Sequence, residues 1–84
     1  MMTGAFGLYL ILTDPIAGYP DCASAAVTCG VRYLQLRMKQ SPREKVLQEA
    51  VRIRDITRGT STLFLVNDDV DIAQEVDADG IHLG

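Results

Sequence analysis

The sequence predicts an α/β fold with a parallel sheet, in the order β-α-β-α-β-α-β. Three observations carry that expectation. Short apolar or alternating runs recur at 8–14, 33–37, 62–66 and 80–83. Segments with helical spacing separate them, and no hairpin signal such as Asn-Gly joins one run to the next. Strands that alternate with helices build parallel sheets through right-handed crossovers. At 84 residues the chain is at most one domain, spanning 1–84. A chain this short buries only about 60–65% of its unfolded surface, so its stability margin is thin.

The run LYLILTD at 8–14 is continuously apolar until Thr-Asp-Pro and reads as a buried strand. PDCASAAVTCG at 20–30 reads as a short helix, with Asp21 as N-cap and Gly30 as its stop. YLQLR at 33–37 alternates with period two, which marks a strand with two unlike faces. SPRE at 41–44 starts a second helix: Ser41 reads as N-cap, Pro42 as N1 and Glu44 as N3, a capping box. Val46, Leu47, Ala50 and Ile53 share one side of that helix, which stops near Gly59. TLFLV at 62–66 is a third strand, Val70 to Val76 a short helix, and GIHL at 80–83 the start of a fourth strand.

Composition is that of an ordinary soluble globular chain, with 48% hydrophobic and 23% charged residues. The net charge of −3 argues against a nucleic-acid binder. Charge is segregated along the chain. All eight Lys and Arg lie between Arg32 and Arg58, and the six acids after Asn67 have no basic neighbour in sequence. The apolar run near the N-terminus is too short to span a membrane and lacks the basic flank of a signal peptide, so a cytoplasmic location is expected. Cys22 and Cys29 lie seven residues apart on one helix, about 10 Å along its axis. That separation is too long for a disulfide, and both read as small buried hydrophobes in a reducing compartment.

Candidate chemistry begins with the strand at 33–39. Leu34, Leu36 and Met38 suit a face that meets helices, whereas Gln35, Arg37 and Lys39 line the opposite face. Parallel sheets are covered on both faces, and an unpaired buried Arg or Lys would be very costly. The row therefore belongs near the C-terminal mouth of the sheet, where ligands bind in α/β folds. Two roles fit it equally: holding an anionic ligand, or forming an internal ion-pair network with acids such as Asp14 or Asp68. Asn67 and Asp68 follow the third strand and fall at the same mouth. Mg²⁺ prefers one or two carboxylates plus substrate phosphate oxygens, which suits Asp68, and the Asn67 amide can donate to phosphate. The competing role for this pair is an Asx turn capping the next helix. Asp69 and Asp71 read as first-turn acids that suit the helix dipole. An EF-hand register on Asp69 fails, because Gln74 stands where the loop needs glycine. His82, between Ile81 and Leu83, reads as a packed strand histidine, and no P-loop, G-x-S-x-G or G-x-G-x-x-G occurs.

LYLILTDP, GVRYLQLRMK, LVNDDVDIA and ADGIHLG, in this order, resemble the thiamine-phosphate synthase family. The resemblance covers Leu8 to Gly84 and is specific as a set. It implies the N-terminal half of a TIM (β/α)₈ barrel, in an enzyme that joins hydroxymethylpyrimidine diphosphate to thiazole phosphate with Mg²⁺ and releases diphosphate. It also implies that Gln35, Arg37, Lys39 and Asn67 bind the pyrimidine diphosphate and that Asp68 ligates the metal. The family pattern continues with a Gln-x-Asp segment, whose Asp is a second magnesium ligand, and this chain stops before it. Met38 stands where the family often has an acid. A barrel of this kind usually needs about 200 residues or more. The chain is accordingly expected to be an N-terminal piece that is inactive alone and self-associates through open sheet edges. Two other readings are a thiazole tautomerase-like relative, against which the Gln35–Arg37–Lys39 row speaks, and a non-catalytic remnant or interaction module.

Overall fold

The computed structural model describes residues 9–13 and 18–83. The ends of the expected first strand and Asp14 lie outside the described residues. Four strands, β1 (Tyr9–Leu12), β2 (Tyr33–Leu36), β3 (Leu63–Asn67) and β4 (Gly80–His82), alternate with α1 (Tyr19–Cys29), α2 (Arg43–Thr57) and α3 (Val70–Glu75). The strands form one sheet in the order β1-β2-β3-β4. Every neighbouring pair is parallel, in the registers Tyr9↔Tyr33, Tyr33↔Leu63 and Leu65↔Gly80. The expected α/β order and parallel sheet are therefore what the chain adopts.

Period-two alternation sorts the sheet into two faces. Leu34, Leu36, Phe64 and Val66 point to one side and are fully buried with Ala23 and Ala26 of α1, Ala50 and Ile53 of α2, and Ile72 of α3. All three helices thus cover the same face. The other face carries Tyr9, Ile11, Tyr33, Gln35, Leu63, Leu65 and Asn67, and among them only Gln35 is buried. The Tyr9 and Tyr33 rings lie 5.7 Å apart on that face. One-sided helix cover on a four-stranded parallel sheet is the arrangement of a barrel segment, in which the second face looks inward.

Helix boundaries correct three sequence expectations. Helix α1 begins at Tyr19 with Gly18 as N-cap, so Asp21 is a first-turn acid and not the cap. Pro20, with its fixed φ and missing N–H, is tolerated in that first turn and moves the start forward. Helix α2 begins at Arg43, with Pro42 at the N-cap position and no side-chain cap bond. The Pro42 carbonyl accepts the N–H groups of Lys45 and Val46 at 3.0 and 3.1 Å, which leaves Ser41 one residue outside the helix. The capping box therefore does not form. Gly30 does close α1: at φ 77° it lets its own N–H reach Val27 O and that of Val31 reach Ala26 O, a Schellman ending. The cysteines are free as expected, but Cys22 is half-buried and Cys29 exposed, because their side of α1 opens onto the β1 edge.

Far from the mouth, polar groups fasten the other end of the sheet. Thr62 Oγ1 donates to the Val31 carbonyl at 2.6 Å. Asp79 Oδ2 accepts from the Phe64 N–H at 2.7 Å and from Arg54 Nη1 at 2.9 Å, while the Asp79 N–H returns a bond to the Phe64 carbonyl. Glu49 on α2 is buried, and its Oε1 has no hydrogen-bond partner among the described residues. A buried polar atom without a partner carries its full desolvation penalty. Replacing Glu49 by Met, of similar volume, is expected to raise unfolding stability by about 1 kcal/mol. Urea unfolding of the two proteins checks this, and a destabilised Glu49→Met would show that the carboxylate has a stabilising partner.

Candidate active site at the C-terminal mouth

β2 and β3 run side by side with Leu36 opposite Val66, so their C-terminal ends open at one rim. Continuing that register by one residue brings Arg37 level with Asn67, which in turn pairs with His82 on β4. The Arg37 N–H bonds to the Leu12 carbonyl at 3.0 Å, which carries the same rung across to β1. Beyond the rung, a cleft of about 620 Å³ is bounded by the β2–α2 and β3–α3 connections. Its polar lining comes from Lys39, Ser41, Arg43, Asn67, Asp68, Asp69 and Asp71.

Across this cleft Lys39 Nζ stands 3.5 Å from Asp68 Oδ2, with both side chains about half exposed (46% each). Half-exposed pairs contribute at most about 1 kcal/mol, so this one can open readily for a competing anion or cation. The ion-pair role weighed for the basic row thus exists for Lys39. Arg37 is exposed, and its guanidinium makes no hydrogen bond or ion pair with the described residues. The row is also split by depth. Gln35 lies two residues deeper, opposite Leu65, 1% exposed, and its Nε2 donates to the Tyr9 hydroxyl at 2.6 Å. Lys39, Asn67 and Asp68 line the cleft, whereas Arg37 and Gln35 are not among its lining residues and Gln35 packs against the Tyr9 hydroxyl instead.

Asp68 has a left-handed backbone, φ 64°, which Asp tolerates better than most residues. Its N–H bonds to the His82 carbonyl at 2.9 Å. The cap of α3 falls to neither Asn67 nor Asp68. Asp69 is the N-cap, its Oδ1 accepting the Ile72 N–H at 2.9 Å. Its Oδ2 lies 3.7 Å from Arg43 Nε. This division leaves the Asp68 carboxylate turned toward Lys39 rather than toward its own helix.

Among the described residues no group of three or more His, Cys, Asp or Glu could hold a metal ion by itself. One Asp beside one Asn and a lysine does not fit a closed protein cage. It fits Mg²⁺ carried in with phosphate oxygens, which needs only one or two protein carboxylates. Among the described residues no helix is long and apolar enough to cross a membrane.

The sequence model of the thiamine monophosphate synthase family matches residues 8–84. The chain belongs to this family. A thiamine-phosphate synthase from Gloeobacter violaceus is 43% identical over 77 residues, 92% of this chain and 22% of that protein. One from Methanoculleus marisnigri is 39% identical over 82 residues, 94% of this chain and 39% of that protein. Among solved structures, a thiamine phosphate pyrophosphorylase from Pyrococcus furiosus superposes with a TM-score of 0.79 at 34% identity, over 89% of this chain and 37% of that one. The chain thus spans between about one fifth and two fifths of the curated relatives it matches.

Within this thiamine monophosphate synthase family member, four cleft residues went unread as site residues in the sequence: Ser41, Arg43, Asp69 and Asp71. Ser41 and Arg43 were absorbed into a helix start. Asp69 and Asp71 were absorbed into a first turn, which is where Asp71 does lie. Their meeting across two connections is a tertiary fact with no local sequence pattern.

Proposed function

We propose that this chain supplies the pyrimidine-diphosphate half-site of a thiamine-phosphate synthase. The reaction joins hydroxymethylpyrimidine diphosphate to thiazole phosphate. The bond between the pyrimidine methylene carbon and the diphosphate oxygen breaks, diphosphate leaves with the electron pair, and the thiazole nitrogen forms the new bond to that carbon. The observation that carries this reading is the meeting of Lys39 and Asp68, 3.5 Å apart, beside Asn67 at the C-terminal rim of a parallel sheet.

In this reading Lys39 and Arg37 hold the diphosphate. Arg37 can grip phosphate oxygens in a bidentate fork, and Lys39 acts as a point charge once it leaves Asp68. Asn67 donates its amide hydrogens to phosphate oxygens. Asp68, with phosphate oxygens, would hold Mg²⁺, which when bound supplies positive charge against the leaving diphosphate. Cations fixed around a leaving group whose charge grows stabilise the transition state more than the ground state. Gln35, buried two residues below, would meet the pyrimidine only by exchanging the Tyr9 hydroxyl for it. The aminopyrimidine itself supports cation character at the methylene carbon, so no protein nucleophile is required. Coupling by this chain alone is not expected, since the thiazole phosphate has no assigned holder among its residues. Small phosphorylated substrates, no nucleic acid and a cytoplasmic location accompany this reading.

Calorimetry tests it. Hydroxymethylpyrimidine diphosphate titrated with Mg²⁺ into the chain is expected to bind weakly. Arg37→Ala is expected to weaken that binding about tenfold or more, the loss of one charge-assisted phosphate contact. Unchanged affinity in Arg37→Ala removes the role of the rim row, and a wild-type titration without heat or Mg²⁺ dependence overturns the half-site.

A further inference from the structure

The Asp68 carboxylate projects from a residue whose backbone is left-handed, φ 64°, between a strand end and a helix start. A non-glycine residue persists in that region only where its surroundings over-determine it. Two of the restraints are backbone bonds: the Asp68 N–H to the His82 carbonyl, 2.9 Å, and the Asp69 N–H to the Asn67 carbonyl, 2.8 Å. Further restraints run through the Asp69 side chain. Asp69 Oδ1 accepts the Ile72 N–H at 2.9 Å, and Asp69 Oδ2 faces Arg43 Nε at 3.7 Å. Arg43 is the first residue of α2, in the wall that also carries Lys39 and Ser41. The Arg43–Asp69 pair therefore spans the cleft parallel to the Lys39–Asp68 pair, one residue further along the β3–α3 connection.

We propose that Arg43 and Asp69 form a brace that fixes the aim of Asp68 relative to Lys39, making both of them positioning residues for the metal-diphosphate site. The brace rests on the half-site reading above for its consequence, but not for its existence. Its two partners are 53% and 35% exposed, so the pair adds little to global stability. Its value lies in geometry. Lys39 must let go of Asp68 when a diphosphate arrives, and at that moment the 3.5 Å link across the cleft is gone. The brace then holds the two walls in register while Asp68 turns to a metal ion. Asp69 suits this task because one oxygen is committed to the helix and the other to the opposite wall.

The experiment uses the full chain and two readouts. Amide hydrogen exchange at Asp68 and Asp69 reports the connection itself, and electron paramagnetic resonance of Mn²⁺ with inorganic diphosphate reports the site. In Arg43→Gln and in Asp69→Asn, which keeps an oxygen for the Ile72 N–H, exchange at Asp68 is expected to quicken and Mn²⁺-diphosphate affinity to fall, each about three- to tenfold. The melting temperature stays put. The double variant is expected to match either single one, because both remove the same link. Arg43→Lys, which keeps the cation, is expected to recover most of the affinity.

Unchanged exchange and unchanged affinity in both single variants, with Asp68→Asn still abolishing Mn²⁺ binding, overturns the brace and leaves the half-site standing. Mn²⁺ binding that survives Asp68→Asn overturns the metal role of Asp68 instead. The exchange rate of the Asp68 amide then decides the brace by itself.

Discussion

Replacing Asp79 by alanine is expected to destabilise the chain by about 2 kcal/mol, the scale for stranding a well-covered guanidinium and a backbone donor that share one partly exposed carboxylate. Asp79 Oδ2 is the shared acceptor of Arg54 Nη1 at 2.9 Å and of the Phe64 N–H at 2.7 Å. The Arg54 side chain is only 11% exposed, and its Nε already lacks a partner among the described residues. Removing the carboxylate leaves a guanidinium with little access to water and a backbone donor without its acceptor, each with a desolvation penalty. A chain of this size holds roughly 4–13 kcal/mol in all, so the loss is a large share of it. Asp79→Asn keeps an oxygen for Phe64 and is expected to lose about half as much. Arg54→Met removes the charge together with its unmet needs and is expected to cost about 1 kcal/mol or less. Urea unfolding of the three variants checks the order. Asp79→Ala within about 0.5 kcal/mol of the parent, the ordinary range of surface substitutions, would show that the carboxylate is dispensable.

The chain is also expected to self-associate, with a weight-average mass by sedimentation that climbs with concentration. β1 is an edge strand of a parallel sheet, and Tyr9, Leu10 and Ile11 along it are 49%, 37% and 49% exposed. Beside it an apolar groove of about 500 Å³ runs between β1 and α1, lined by Leu10, Leu12, Cys22, Ala26, Cys29 and Val31. Among the described residues no element covers it. β4 forms the opposite edge and can pair in parallel with β1 of another copy, since every strand points the same way. Leu10→Lys combined with Ile11→Lys puts charge on both faces of the edge and is expected to hold the protein as a monomer across the same range. A parent that is already monomeric at high micromolar concentration would show that the edge is protected.

The element order was legible because periodicity is local. Leu34 and Leu36 announce both their strand and the face that meets the helices, whereas the third strand is apolar on both faces and only the structure shows that Phe64 and Val66 face the helices. Helix starts were less legible. Near Pro20 the cap moved three residues, from Asp21 to Gly18, and near Pro42 it moved one, from Ser41 to Pro42, since a proline can serve as N-cap or as a first-turn residue. Of the candidate site, the rim was readable because strand ends and topology fix it: Lys39, Asn67 and Asp68 do share a cleft. Depth was not readable. Period two sorts Gln35 onto the same face as Arg37 but does not say that Tyr9, 26 residues earlier, would close over it. Asp79 was invisible for the same reason. Its partners sit 25 and 15 residues away and leave no mark in its own neighbourhood.

The amide of Asp68 hangs from the His82 carbonyl, and His82 belongs to β4. The carboxylate is thus suspended from a strand to which the half-site reading assigns no ligand. A shift or twist of β4 would reach the Asp68 backbone through that hydrogen bond and so alter the direction of its carboxylate. Whatever chain packs against β4 in a larger assembly holds a mechanical lever on the site without touching it.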